Sequence, residues 1–286
     1  GCTEMALITI EEALAAVAAA RPAAARPAAA EEEVDLASAL GRVLARPLAS
    51  PIDSPPFDKA AMDGFAVPDP LPAAGPWRVR GTIAAGSGPA DPVGPGECAR
   101  IMTGAMLPAG TRRVVRREFT REAGGSVLLT TPETGDNVVR RGENLRAGEP
   151  VLQPKILAAQ DIGALAASGI ARVPVAVPPR VAILCTGSEI RSPGEQLAPG
   201  EIYNSSAAQL AAQLAALRCP SRYLGTVADR REDLEAAVAA GLDSSQLLLL
   251  TGGVSEGDFD YVPPVLASLG ARLVFHGVAI KPGKPT

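Results

Sequence analysis

Histidine and paired cysteines are nearly missing from this 286-residue sequence. The four cysteines are widely separated, so no Cys-x-x-Cys pair is present to hold zinc or to carry out thiol exchange. The single histidine, His276, lies in an apolar stretch typical of a strand, where a packed and hydrogen-bonded side chain is favoured over a catalytic one. We therefore expect any chemistry to depend on carboxylates, hydroxyls, lysines, backbone amides and a hard metal ion.

Positive charge and long apolar runs are also scarce. A net charge of -4 leaves no basic stripe, so nucleic acid is not an expected partner. No apolar run approaches the roughly 20 residues of a membrane span, and no basic N-terminal region precedes an apolar core, so no membrane partner is expected and the cytoplasm is the predicted location. The hydrophobic content of 47% at this length predicts two or three domains acting on a small substrate.

Apolar periodicity divides the chain into regions of different texture. Helical patterns cover residues 8–20 and 36–44, whereas prolines and glycines alternate with short apolar segments from 67 to 131, as in a small β domain. After residue 155, strands and helices alternate, which predicts a doubly wound α/β unit. The elements predicted after this point are helix 157–168, strand 180–185, helix 205–217, strand 222–227, helix 232–240, strand 247–251, helix 261–269 and strand 272–279.

The strand predicted at 247–251 is the most informative segment. Its four consecutive leucines indicate burial on both faces, as in a parallel sheet, and it runs directly into the glycine-rich, acidic loop 252–260. Glycines allow the backbone to turn tightly and to approach a ligand, and the acids supply oxygen atoms around the turn. For this loop taken alone, a plain strand-to-helix turn with solvated acids is the alternative.

Residues with useful chemistry follow each predicted strand of the α/β unit. A Thr-Gly-x-Glu turn at 186–189 follows the first strand, Asp229 the second, the 252–260 loop the third and a lysine-containing segment at 281–284 the fourth. Because parallel strands place their carboxyl ends at one sheet edge, we expect these groups to converge. The lysines suit a phosphate or another oxyanion, and the acids suit magnesium or an ordered water. No Gly-x-Gly-x-x-Gly follows a strand and no Walker A sequence is present, which disfavours dinucleotide and P-loop sites.

Two loops upstream carry distinctive sequences. The first, Ser54 to Val67, holds acids among apolar residues, and the second, Arg100 to Pro108, passes from a strand into a Thr-Gly turn. Loops of this kind commonly carry function, although the turns of a β domain would also explain their composition.

Five segments, taken in order, closely resemble one known family. They are the Pro-Phe-Asp to Met-Asp-Gly segment at 56–64, Ile-Met-Thr-Gly at 101–104, Thr-Gly-x-Glu at 186–189, Gly-Gly-Val-Ser-x-Gly at 252–257 and Lys-Pro-Gly-Lys-Pro at 281–285. The resemblance is to the molybdopterin molybdenumtransferase family, which includes MoeA and the gephyrin E domain, and it covers essentially the whole chain. Five motifs in the same order are far more specific than any one of them.

The resemblance implies a transferase of molybdenum cofactor biosynthesis that inserts molybdate into adenylylated molybdopterin, releases AMP and depends on Mg2+. It also implies a homodimer, in which the β domain of one subunit meets the α/β domain of the other, and an upstream molybdopterin adenylyltransferase as a partner. The implied catalytic residues are Asp63, Thr103, Glu189, Asp229, Asp260, Lys281 and Lys284, of which Glu189, Asp229 and Asp260 would hold the metal. The implied cofactor-binding residues are Thr186, Gly187, Gly252, Gly253, Ser255, Gly257, Pro282 and Gly283.

The implied fold is a multidomain α/β and β protein. Residues 1–66 and 145–178 would form a discontinuous helical and extended linker domain, residues 67–144 an inserted small β domain, and residues 179–286 a doubly wound α/β domain of the molybdopterin-binding type. We expect this last domain to be truncated at its C-terminal end, because family members continue beyond the position of Thr286 into a small C-terminal β domain.

The sequence departs from the family pattern at several positions. Asn144 replaces an aspartate and so removes a carboxylate from its loop, and Ser188 replaces the aspartate of Thr-Gly-Asp-Glu. Lys59 replaces an asparagine, and Arg112 with Arg113 replaces a small or acidic pair. We therefore expect the electrostatic potential around these positions to be more positive than is usual in the family.

Two other functions stay open on the sequence alone. A molybdopterin adenylyltransferase, or a stand-alone pterin-binding module, would share the α/β fold but would not need the upstream loops of Asp63 and Thr103. A non-catalytic scaffold of the gephyrin E-domain kind would not need the acids and lysines. Release of AMP from adenylylated molybdopterin on addition of molybdate would separate these functions.

Overall fold

The computed structural model describes residues 7–20, 30–68, 75–253 and 261–280. The chain forms two compact units, which we call the α/β unit (Gly1–Glu32 with Ala176–Thr286) and the β unit (Glu33–Val175). No helix in these described ranges is long and apolar enough to cross a membrane.

Helices occupy both units, with most of the helical residues in the α/β unit. The helices are α1 (Ile10–Ala20), α2 (Leu36–Ala39), α3 (Ala159–Ala167), α4 (Ser205–Ala216), α5 (Arg231–Ser244) and α6 (Val262–Ser268). A short 3-10 turn covers Arg117–Phe119.

Strands occur in both units and form the centre of the α/β unit. They are β1 (Glu31–Asp35), β2 (Leu48–Ala49), β3 (Lys59–Ala60), β4 (Gly64–Val67), β5 (Trp77–Ile83), β6 (Glu97–Ile101), β7 (Arg113–Arg116), β8 (Thr120–Ala123), β9 (Ser126–Leu129), β10 (Val138–Val139), β11 (Pro150–Leu152), β12 (Arg172–Ala176), β13 (Val181–Thr186), β14 (Ile190–Arg191), β15 (Ile202–Tyr203), β16 (Ser221–Val227) and β17 (Leu247–Thr251).

The main sheet of the β unit has six strands in the order β7-β4-β6-β5-β9-β8. Its second strand, β4, pairs antiparallel with β6 and β7, and its four residues are all buried. Successive residues of β4 face opposite sides of the sheet, so Ala66 packs with Ile101 on one side while Phe65 packs with Trp77 on the other. Both faces of the sheet are thus packed, so the ends of β4 and β6, to which loops connect, are held in place by the core.

The helix predicted at 36–44 is shorter than expected. Helix α2 ends at Ala39, and Gly41 then adopts a left-handed φ of 75° that stops the helix. Val43 and Leu44 instead form isolated antiparallel bridges with Ile156 and Val175. Leu44 is fully buried, so its apolar character reflects a place in the core rather than a helical face.

The sheet of the α/β unit is parallel and has the order β16-β13-β17. Helix α5 packs on one face, where Leu234 and Val238 meet Leu184, and α4 covers the other, where Ala207 meets Ile183. Helices on both faces of a parallel sheet define a doubly wound α/β arrangement, which confirms the predicted fold class.

Two strand predictions in this unit need correction. The strand buried on both faces is β13, whose six residues are all buried, whereas Leu247 of β17 is 45% exposed and the leucines after it are half-buried. Among the described residues β17 pairs only with β13 and is therefore an edge strand. It lacks the second neighbouring strand that β13 has.

The strand predicted at 272–279 is also wrong. Isolated bridges replace the strand there, including one between Ile8 and Val278, and His276 lies half-buried at a bend. Leu273 is 58% exposed and Val274 is 47% exposed, so the apolar pattern does not face a core within the described residues.

Candidate functional site

The carboxyl edge of the parallel sheet brings Thr186 and Asp229 into direct contact. Thr186 ends β13, Asp229 follows β16, and the Thr186 hydroxyl donates to Asp229 Oδ1 at 2.6 Å. The other carboxylate oxygen, Oδ2, accepts the backbone N–H of Ser188 at 3.2 Å. Each oxygen keeps a free lone-pair direction after these bonds, so the carboxylate is fixed in orientation and can still bind a cation or accept from a ligand.

Glycines close to Thr186 allow the backbone segments at this sheet edge to pack against one another at short distance. Gly252 follows β17 with a φ of 88°, and a Cβ atom added there would lie 2.1 Å from the Thr186 carbonyl oxygen. A Cβ at Gly253 would lie 2.8 Å from a methyl carbon of Val262. Any side chain at either position would force backbone or core atoms to move, so the approach of the β17 loop to Thr186 depends on glycine.

The turn after β13 presents Glu189 at the surface. Its carbonyl oxygen accepts the N–H of Ile202 at 3.0 Å, which ties the turn to β15. Its exposed carboxylate lies over Gly187, since Oε2 is 2.9 Å from the position of a Cβ atom at that glycine. Glu189 and Asp229 therefore project from neighbouring turns of the same sheet edge.

The donor set at this edge has the right chemistry for Mg2+, because carboxylate and hydroxyl oxygens are the ligands that this ion prefers. Glu189 and Asp229 are the two carboxylates that the described turns contribute, and no group of three or more histidine, cysteine, aspartate or glutamate residues suited to a metal occurs in the described part of the chain. The third predicted metal ligand, Asp260, lies outside the described residues. The same holds for the predicted site residues Ser255, Gly257, Lys281, Pro282, Gly283 and Lys284.

Asp63 and Thr103 form a second cluster, in the β unit. Asp63 precedes β4, Thr103 follows β6, and Asp63 Oδ1 accepts both the backbone N–H and the hydroxyl of Thr103 at 2.7 Å. These two bonds, with the nearby charge of Arg117, lower the pKa of the Asp63 carboxyl below its ordinary value. Asp63 is therefore an exposed, ionised carboxylate that two hydrogen bonds hold in place.

A small cleft opens beside this pair and is bordered by Arg100, Met102 and Arg117 as well as Asp63. Arg100 lies 5.7 Å above the Phe65 ring and forms an ion pair with Glu122. The sequence patterns did not indicate either arginine as a neighbour of Asp63. Arg117 reaches the cluster because β7 pairs with β4, and this register of strand pairing is not visible in a local motif.

Of the departures from the family pattern, Asn144 lies at the surface of the β unit. Asn144 is exposed, and its N–H donates to the Ser54 carbonyl at 3.0 Å. Asp58 accepts from Arg140 at 3.3 Å and from the Arg141 N–H at 2.8 Å, so its charge is already matched. The structure places these groups in a hydrogen-bonded turn of the β unit.

Two of the cysteines are held in the core. Burial raises the pKa of the Cys98 thiol to about 12, and Cys185 is buried with its Sγ 3.7 Å from Asn204 Oδ1. A thiol with a raised pKa is a poor nucleophile, so Cys98 is suited to packing in the core rather than to catalysis.

Comparison with known families matches nearly the whole chain. Residues 8–169 match the MoeA N-terminal region (domain I and II), and residues 182–286 match a probable molybdopterin binding domain. Residues 182–286, which include the carboxyl-edge cluster, are thus similar to the class described as a probable molybdopterin binding domain.

Named relatives are similar to the chain in sequence or in structure. The chain is 38% identical over 266 residues to the molybdopterin molybdenumtransferase of Nostoc sp., covering 89% of this chain and 60% of the relative. It is 36% identical over 267 residues to the enzyme of the same name from Bacillus subtilis, covering 89% and 62%. A crystal structure of the molybdopterin biosynthesis MoeA protein from Pyrococcus horikoshii aligns with a TM-score of 0.80 and 32% identity, covering 98% of this chain and 71% of that one.

The chain belongs to the MoeA family. It spans about three fifths of the length of the two curated relatives described above.

Proposed function

We propose that this chain acts in molybdenum cofactor biosynthesis as a molybdopterin molybdenumtransferase, which inserts molybdate into adenylylated molybdopterin with release of AMP. The observation that carries the proposal is the Thr186–Asp229 contact at the carboxyl edge of the parallel sheet, with Gly252 packed against it. This edge is where open α/β sheets bind ligands, and it falls within the segment that matches a molybdopterin binding domain. The names of the relatives support the same activity.

The proposed roles follow from the chemistry of each group. The Thr186 hydroxyl orients Asp229, and the backbone of Gly187, Gly252 and Gly253 allows close approach of the phosphate of the pterin. Cationic side chains stabilise transferred oxyanions, which is the role proposed for the two lysines. The full proposed catalytic set is Asp63, Thr103, Glu189, Asp229, Asp260, Lys281 and Lys284, and Ser255, Gly257, Pro282 and Gly283 complete the proposed binding set.

We propose Mg2+ as the metal, held by Glu189, Asp229 and Asp260. Support comes from the oxygen donors at the sheet edge and from the orientation of Asp229, which is set before any ion binds. When bound, the ion would neutralise phosphate charge. The chain's own residues orient the substrate, and the Thr186 hydroxyl and the Ser188 amide hold the Asp229 carboxylate in a fixed orientation.

We further propose a cytoplasmic homodimer that receives its substrate from a molybdopterin adenylyltransferase. The proposed domain bounds are 1–66 with 145–178, then 67–144, and then 179–286. The exposed apolar side chains of the α/β unit support self-association, since Leu14 is 67% exposed and Val17 is 54% exposed on α1. Light scattering at micromolar concentration measures the mass directly, and a mass of one chain would contradict the dimer.

The activity is tested by adding molybdate and Mg2+ to the purified protein with adenylylated molybdopterin and measuring AMP. The key variant is Asp229→Asn, which keeps the shape but cannot accept the Ser188 N–H through its amide nitrogen. The matched control is Asp233→Asn, because Asp233 is an acid in the same region that pairs with Arg230 at the surface.

We expect Asp229→Asn to lower AMP release by about a hundredfold, as removal of a positioned charged group in a site does. Asp233→Asn should release AMP at the wild-type rate, because an exposed ion pair contributes little to stability or to the site. Wild-type protein that releases no AMP, with molybdate and Mg2+ present, would refute the proposed activity.

A further inference from the structure

Arg191 connects the turn that carries Glu189 to the rest of its loop. Its Nη1 donates to the carbonyl oxygens of Ser188 at 3.1 Å and of Ile190 at 3.0 Å. Its Nη2 lies 2.5 Å from Glu201 Oε1. The guanidinium therefore contacts the backbone on both sides of Glu189 and also reaches a carboxylate near the far end of the loop.

Glu201 is a fixed partner for this arginine. Its side chain is only 18% exposed, and its second oxygen, Oε2, accepts the N–H of Ala198 at 2.8 Å. An isolated surface ion pair contributes little. Here, however, the charged pair continues into backbone hydrogen bonds at both ends, so the contacts act as one network.

The far end of the loop is anchored to the sheet by Asn204, which is 5% exposed and caps helix α4. The Asn204 side chain accepts the Ala207 N–H at 3.0 Å and donates to Tyr223 Oη at 3.0 Å, and its backbone N–H donates to the Arg191 carbonyl at 2.8 Å. Tyr223 belongs to β16, the strand that leads to Asp229. The loop is thus held between the two strands that carry the candidate site.

The turn begins at a glycine whose backbone conformation other residues rarely adopt. Gly187 adopts a φ of 150°, where side-chain-bearing residues are rarely found, and a Cβ atom there would lie 2.6 Å from Ile190. Gly187 lies two residues before Glu189, and the conformational freedom of glycine lets the Glu189 carboxylate move unless other groups hold the turn. The Arg191 contacts to the carbonyls of Ser188 and Ile190 add to the restraint that the bonds from Ile202 and to Asp229 already provide.

We propose that Arg191 is a positioning residue: through the carbonyls of Ser188 and Ile190, and with Glu201 as its counter-charge, it holds Glu189 and the Ser188 amide in the geometry that Asp229 uses. This inference rests on the proposed function for its catalytic consequence. Its structural part, the ordering of the turn, stands independently of that function.

The test uses Arg191→Gln and Arg191→Lys, with Arg222→Gln as a control at an exposed arginine of β16. Lysine keeps the charge toward Glu201 but lacks the planar fork that contacts two carbonyls and a carboxylate together. Amide hydrogen exchange measured by NMR reports on the Ser188 and Ile190 N–H groups, which donate to Asp229 at 3.2 Å and to the Gly187 carbonyl at 3.3 Å. Unchanged melting temperatures would establish that each variant is folded.

We expect Arg191→Gln to speed exchange of these two amides by about tenfold, the change that follows from losing about one net hydrogen bond. Arg191→Lys should give an intermediate increase, and Arg222→Gln none. Unchanged exchange in Arg191→Gln would overturn the proposal whatever the activity of the variant, and an increase of equal size in Arg222→Gln would do the same.

The catalytic arm measures kcat and KM for AMP release. Displacing a site group by about 1 Å can lower turnover by about a hundredfold, so we expect kcat to fall at least tenfold in Arg191→Gln with KM changed less than about threefold. Faster exchange with full turnover would show that the turn need not be held for catalysis and would overturn that part of the inference. Wild-type protein without AMP release would instead refute the proposed function, and the exchange measurement would still decide whether Arg191 orders the turn.

Discussion

The Thr186 hydroxyl donates to Asp229 at 2.6 Å and so links the carboxyl ends of two neighbouring parallel strands. Thr186 is only 4% exposed, whereas Asp229 is half-buried. A buried donor therefore sets the orientation of a more accessible carboxylate before substrate arrives. Preorganised groups of this kind stabilise developing charge without having to rearrange during reaction.

The first prediction concerns the hydroxyl of Thr186. Thr186→Val keeps the shape of the side chain and removes the donor, so Asp229 loses one of its two holding bonds. We expect AMP release to fall about tenfold or more and the free energy of unfolding to fall by about 1 kcal/mol. Thr186→Ser retains the hydroxyl and should recover most of the activity. A valine variant as active as the wild type would show that this bond does not matter.

The second prediction compares two glycines with similar backbone conformations. Gly252 has a φ of 88° and Gly270 a φ of 82°, but a Cβ at Gly252 would lie 2.1 Å from the Thr186 carbonyl, while at Gly270 it meets no described atom within 4 Å. Gly270→Ala should therefore cost about 1 kcal/mol, from backbone strain alone. Gly252→Ala should cost about 3 kcal/mol or more, because the β17 loop must move away from Thr186.

Urea unfolding of both variants measures this difference. Equal losses of stability would mean that close packing against Thr186 is not what the glycine provides. The pair separates steric contact from conformational strain, since only the contact differs between the two positions.

Much of the α/β unit could be predicted from apolar periodicity. The helix predicted at 205–217 is observed at Ser205–Ala216, and the strand predicted at 247–251 is β17 itself. Strand ends also predicted that residues near 186 and 229 would meet, because the carboxyl ends of parallel strands share an edge. These features depend on local pattern and on a general rule of sheet topology, so sequence carries them.

Features that depend on pairing between distant segments were not predictable in the same way. The apolar stretch 272–279 has a strand-like pattern, yet no neighbouring strand pairs with it among the described residues. Arg117 lies beside Asp63 because of the β4–β7 register, and Arg191 meets Glu201 because of the path of one loop. Neither contact leaves a short motif in the sequence.

The third prediction concerns the ionisation of Asp63. Its backbone bond from Thr103 is the largest cause of the lowered pKa, followed by the bond from the Thr103 hydroxyl. Thr103→Ala removes only the hydroxyl bond, so the pKa of Asp63 should rise partway toward the ordinary aspartate value of about 3.9 and not beyond it. Carboxyl carbon shifts followed by NMR during an acid titration measure this directly. A pKa that does not change in Thr103→Ala would show that the hydroxyl bond is not formed in solution.

The last prediction concerns acid stability of the β unit, through the pair of Glu133 and Arg116. The Glu133 side chain is 1% exposed, and its two oxygens accept from Arg116 Nε at 2.9 Å and Nη2 at 3.2 Å. Burial alone would raise the pKa of Glu133, but the bonds and charge of Arg116 outweigh it, so the pKa lies below its ordinary value.

A carboxyl with a lowered folded-state pKa stabilises the protein fully above its unfolded-state pKa of about 4.3, and this contribution is lost as the pH falls through the folded-state value. Glu133→Gln should therefore lower the free energy of unfolding by about 1–3 kcal/mol at pH 7, and its deficit should shrink as the pH falls below about 4.

The control is Glu122→Gln, and loss of this 39% exposed carboxylate should lower the free energy of unfolding by at most about 1 kcal/mol. Arg116 precedes Arg117, whose N–H donates to the Asp63 carbonyl at 3.2 Å. Loss of the Glu133–Arg116 pair should therefore also weaken this backbone hydrogen bond at the Asp63 cluster. Urea unfolding of wild type and both variants between pH 7 and about pH 3 measures the deficit. A deficit in Glu133→Gln that stays constant over this range would mean that the ionised pair is not what stabilises this region.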